Sequence, residues 1–71
     1  MNPDNLVVGK VYYDKHSQIF IEFVGKLNET NHFIFKSAFV SAWTYHKDVV
    51  KFQVIPYTNM LKSYLDINNA P

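Results

Sequence analysis

The sequence predicts a mainly β domain of the β-rich α+β class, a small, strongly bent antiparallel sheet or barrel of four to five strands with a C-terminal amphipathic helix. Three observations lead there. β-Branched and aromatic residues dominate the chain as far as Pro56, in short runs separated by polar turns. Several of those runs alternate with a period of two, the side-chain repeat of a strand. After Pro56 the repeat changes. Tyr57, Met60, Leu61, Tyr64 and Leu65 fall at i, i+3, i+4, i+7 and i+8, the apolar stripe of a helix.

Leu6 to Tyr13, LVVGKVYY, reads as the first strand, with Gly9 a bend or a point of close approach. Asp14-Lys15-His16-Ser17 is a polar turn. Ile19 to Lys26, IFIEFVGK, is the strongest strand, closed by Gly25 and the polar loop LNETN. His32 to Lys36 follows as a short third strand with Phe33 and Phe35 on one face. Phe39 to Tyr45 is expected as the fourth strand. Its rival is a helical turn, because Phe39 and Trp43 are also i,i+4 neighbours and Ser37 could cap it. His46-Lys47-Asp48 then forms a turn into Val49 to Ile55, VVKFQVI, where Val50, Phe52 and Val54 alternate with Lys51 and Gln53. That turn makes the fourth strand and this one a hairpin. The helix is expected over Thr58 to Leu65 with Thr58 as N-cap, and residues 1–5 and 67–71 as frayed ends. The expected core is Val8, Ile19, Ile21, Phe23, Phe33, Phe35, Val50, Phe52, Val54, Leu61 and Leu65. Truncating Phe52 to alanine should then cost about 3–5 kcal/mol.

Seventy-one residues make one domain, 1–71, at a size where a lone core supplies only roughly 3–5 kcal/mol net. No cysteine is present to reinforce it. The first residues, MNPDNLVVGK, lack a basic stretch followed by an apolar one, so no signal peptide is expected, and the longest apolar runs are three residues, too short to span a membrane. The sequon Asn28-Glu29-Thr30 is read as chance, and a cytoplasmic location is expected.

Seven basic residues face six acidic ones, and every basic residue is lysine. Arginine makes the bidentate contacts to phosphate and to guanine edges, so its absence at a net charge of +1 counts against nucleic-acid binding as the main role. Richness in Asn, Lys, Tyr, Phe and Ile without Arg is what AT-rich codons favour, as in small intracellular phage proteins.

The second strand is apolar on both faces: Ile19, Ile21 and Phe23 on one, Phe20 and Val24 on the other beside Glu22. Tyr12 and Tyr13 repeat the pattern in the first strand. One helix cannot cover both sides, and an apolar remainder marks an interaction surface. In a strand over 39–45, Phe39, Ser41, Trp43 and Tyr45 share a face opposite Val40, Ala42 and Thr44. The plain reading makes Trp43 the largest core side chain. The competing one makes SAWTYHKD an interface that acts as a unit, because Trp and Tyr bury much area and keep a polar handle. We expect the interface, with Trp43 partly in the core. Partner contacts are then expected from Phe39, Trp43, Tyr45, His46 and Lys47, and also from Tyr13, Phe20 and Val24. Tyr45→Ala should weaken binding while lowering stability little.

Catalytic patterns are missing. His16, His32 and His46 lie 14–16 residues apart, without metal-ligand spacing. Asp14, His16 and Ser17 carry triad residue types, but neighbours on one tight turn cannot easily hold the triad geometry. Gly9 and Gly25 are isolated, and Glu22 has no carboxylate partner; it is read as a gatekeeper charge against edge aggregation. We therefore expect no enzyme, no cofactor and no metal. The arrangement L..G.VYYD, FIEFVGK, FIF resembles the first strands of SH3-like barrels, and that resemblance implies fold alone. The expected function is a non-catalytic protein-binding module, phage-encoded, that docks on a host or viral protein and modulates or inhibits it, or that self-associates. The alternative is a small barrel that binds nucleic acid by stacking on Trp43, Tyr45 and His46 above Lys47 and Lys51.

Overall fold

The computed structural model describes residues 1–57. The helix expected over Thr58–Leu65, with Leu61 and Leu65, lies outside them. A short 3-10 turn spans Pro3–Asn5, followed by β1 (Val11–Asp14), β2 (Ile19–Lys26), β3 (His32–Lys36), β4 (Trp43–His46), α1 (Lys47–Gln53) and β5 (Val54–Pro56). The strands form one antiparallel sheet in the order β4-β3-β2-β1-β5 that is not closed into a barrel. It is the strongly bent sheet of the two forms expected.

β2 makes the bend. Its first half pairs with β1, from Val11↔Glu22 to Asp14↔Ile19, and its second half with β3, from Glu22↔Lys36 to Lys26↔Phe33. Between the halves the register slips from Phe23↔Phe35 to Gly25↔Ile34, leaving Val24 as an extra, bulged residue. Bulges sharpen local twist and let one strand serve two sheet layers. One long strand is thus shared between two short ones.

Three expectations are corrected. The first strand begins at Val11 and not at Leu6. Gly9 adopts φ +86°, a left-handed conformation open to glycine, and its N–H donates to the Phe23 carbonyl at 2.9 Å. The turn ends the alternation, so Val8 is 65% exposed, and of residues 6–10 Leu6 alone packs against the core. The fourth strand shortens to Trp43–His46. Ser37 Oγ accepts from the N–H groups of Phe39 and Val40 at 3.2 and 3.1 Å, which holds a polar-anchored turn where strand was expected.

The third correction is the largest. Lys47–Gln53, in place of a strand from Val49, is helical. His46 is the N-cap, its Nδ1 accepting from the Asp48 N–H at 3.2 Å. Asp48 in the first turn and Lys51 in the last complement the helix dipole. Residues two apart point to nearly opposite sides of a helix. Val50 is therefore buried while Phe52 is 69% exposed. β4 and β5 accordingly are not a hairpin: β4 pairs with β3, and β5 crosses to the far edge to pair with β1 through Tyr13↔Ile55.

The core fills the concave side. Tyr12, Ile21, Phe23, Phe33, Phe35, Val50 and Val54 are buried, with Met1, Leu6, Ile19, Trp43 and Tyr45 packed around them. Phe35 is its centre, with ring centroids 5.5 Å from Phe23, 5.5 Å from Tyr45 and 6.4 Å from Trp43. The Tyr12 hydroxyl accepts from the Val7 N–H at 2.9 Å, which satisfies its polar end.

Candidate binding surfaces

Among the described residues, one charged side chain sits inside. Asp14 is completely buried at the end of β1. Its Oδ1 accepts from the N–H groups of His16 and Ser17 at 2.9 and 3.0 Å, an Asx turn that fixes the reversal into β2. Its Oδ2 accepts from the Tyr45 hydroxyl of β4. A buried carboxylate persists only when such donors replace its water. The bond spans the concave face between strands that are not neighbours in the sheet. Burial, then the bond to Asp14 and its charge, push the Tyr45 hydroxyl above its ordinary value, against a smaller opposite pull from Ser17 and Trp43. The indole N–H of Trp43 is buried beside this group but finds no acceptor at hydrogen-bonding geometry among the described residues.

The stretch SAWTYHKD therefore does not lie on one surface. Trp43 and Tyr45 are half-buried and face the core, His46 caps α1, and Lys47 is its exposed first residue. Tyr45 serves the fold first. Phe39 stands apart from them at the tip of the β3–β4 turn, 89% exposed, with Val40 exposed beside it. The anchoring of that turn by Ser37 presents the ring on fixed backbone.

A second apolar surface covers the convex side. Tyr12 and Asp14 point inward, so Val11 and Tyr13 point outward, beside Phe20 of β2. The Tyr13 and Phe20 rings lie 5.1 Å apart, and Tyr57 meets Phe20 edge-on at 5.4 Å. Val11, Phe20, Val24 and Tyr57 are all exposed. Of the residues expected to bind, Tyr13, Phe20 and Val24 thus share one surface, separate from Phe39. Val11, Val40 and Tyr57 were not anticipated. Val11 was in principle legible, since it lies two residues from Tyr13 in one strand. Glu22 and Lys36 pair across β2 and β3 at 3.4 Å on this side, so Glu22 is a solvated, partnered charge.

The catalytic patterns stay unassembled. Asp14 holds His16 and Ser17 by their backbone N–H groups, not as a charge-orienting triad. The His32 and His46 rings touch edge-on at 5.4 Å, yet no group of three metal-ligating side chains occurs among the described residues. No helix there is long and apolar enough to cross a membrane. A cleft of about 470 Å³ opens between the N-terminal turn, the β2–β3 loop and α1.

Comparison of the chain with protein-family models, curated proteins and solved structures finds no match.

Proposed function

We propose that this protein is a non-catalytic protein-binding module whose principal contact is the β3–β4 turn. The carrying observation is Phe39, the most exposed large apolar residue described. It is held on an anchored turn while the core is complete without it. A large aromatic presented on rigid backbone is the usual form of an interface anchor, because little side-chain entropy is lost on docking. The convex surface around Phe20 is a second contact, for the same partner or for another copy of the chain. The AT-rich residue usage supports a phage-encoded protein that docks on a host or viral protein and modulates or inhibits it. Affinity should change little with salt, because the two surfaces are apolar.

Crosslinking from lysate, with and without nuclease, checks this when Phe39→Ser and Phe20→Ser are run beside the parent chain. Phe39→Ser should weaken capture of the partner by about tenfold or more, a loss of about 1.4 kcal/mol, with an unchanged thermal midpoint. Capture by Phe39→Ser equal to that of the parent chain would end the reading. Loss of every partner on nuclease treatment, with affinity falling steeply in salt, would favour the nucleic-acid alternative. That alternative draws on Lys47 and Lys51, but Trp43 and Tyr45, its stacking residues, face the core.

A further inference from the structure

The lysines are evenly spread in sequence, yet three of them meet in space. Lys26 at the end of β2, and Lys47 and Lys51 one turn apart on α1, line the same cleft of about 470 Å³ together with Asn31. Lys47 and Lys51 share a helix face because they are i,i+4 neighbours. Lys26 is turned toward the cleft across the Phe33 ring, its ammonium 5.8 Å from the centroid. Two acids also line it, but neither forms an ion pair with these lysines among the described residues. Asp48 lies 3.5 Å from His46 Nδ1, the atom that accepts from the Asp48 N–H, so Asp4 and Asp48 both stand on the rim against the three lysines. Lysines drawn from two elements onto one cleft repel one another, and beyond the Phe33 ring under Lys26 no ion pair among the described residues offsets that repulsion. An anion in the cleft would.

We propose that this cleft binds a phosphorylated small molecule, its phosphate groups held between Lys26, Lys47 and Lys51. A lysine ammonium meets phosphate as a compact point charge, and the volume suits a ligand of small-molecule size. The site lies apart from Phe39 and Phe20, so it stands or falls separately from the protein-binding reading.

Amide chemical shifts of the full chain, titrated with inorganic phosphate, pyrophosphate and tripolyphosphate, test it. Shifts should be confined to residues around Lys26, Asn31, Lys47 and Lys51, and tripolyphosphate should bind about tenfold tighter than phosphate. Lys26→Gln, Lys47→Gln and Lys51→Gln should each weaken tripolyphosphate by about threefold or more, while Lys10→Gln, on another cleft, leaves it unchanged. The exposed positions of Lys47 and Lys51 mean that the two helix variants keep the fold. Shifts that spread equally to Lys10 and Lys15 would overturn the site as unspecific charge screening. No binding at about 10 mM tripolyphosphate, on the scale of a millimolar Kd, would also overturn it. So would a single-stranded oligonucleotide that uses these lysines where tripolyphosphate does not bind.

Discussion

Asp14 and Tyr45 are the residues on which sequence and structure diverge most in meaning. By type, Asp14 belongs to a solvated turn and Tyr45 to an exposed strand end. In the fold they form a hydrogen bond inside. Tyr45→Phe keeps the ring and leaves the buried carboxylate one donor short, so it should cost about 1–3 kcal/mol in urea denaturation. The same bond sets an alkaline limit. The folded state holds the Tyr45 proton above the ordinary value of 10.0, whereas the unfolded chain releases it there. The stabilisation is therefore complete below pH 10 and is lost as pH rises through the raised folded value. Alkaline unfolding of the parent chain should show this loss, and Tyr45→Phe should lack it. An unchanged alkaline profile in the variant would place the loss elsewhere.

Among the elements, α1 was the one hidden by its own pattern. VVKFQVI alternates as a strand should, and nothing within it opposes that reading. The cap that decides the matter is His46, which stands before it and whose residue type is not among the strong N-caps. A direct comparison follows. Val50→Ala should cost about 1.5–3 kcal/mol because the side chain is buried, whereas Phe52→Ala should stay within about 0.5 kcal/mol. The opposite order would restore the strand. β2 and β3 were legible because their alternation, glycine and polar loop agree locally. The direction of Trp43 and Tyr45 was not, since two-residue periodicity says which residues share a face but not which face the sheet hides. The outward Phe20 and Val24 were legible as a surplus: apolar residues on both sides of one strand cannot all be core in so small a domain.

At the scale of the whole molecule, α1 works as a ruler. Its first N–H, from Lys47, donates to the Asn31 carbonyl at 2.7 Å, beyond one end of β2. Its last carbonyl, of Gln53, accepts from the Lys15 N–H at 2.9 Å, beyond the other end. Seven helical residues measure about 10 Å, but the eight residues of β2, drawn straight, would measure about 26 Å. The strand is the arc of a bow and the helix its string. Curvature is then a matter of length as well as of side-chain chemistry, and it can be dialled. Four alanines inserted after Lys51 lengthen the string by about 6 Å. The bow should slacken, Tyr45 should part from Asp14, and its hydroxyl should titrate at the ordinary tyrosine value. If the insertion leaves that titration raised, the bulge at Val24 alone holds the curve, and the helix merely follows a shape already made.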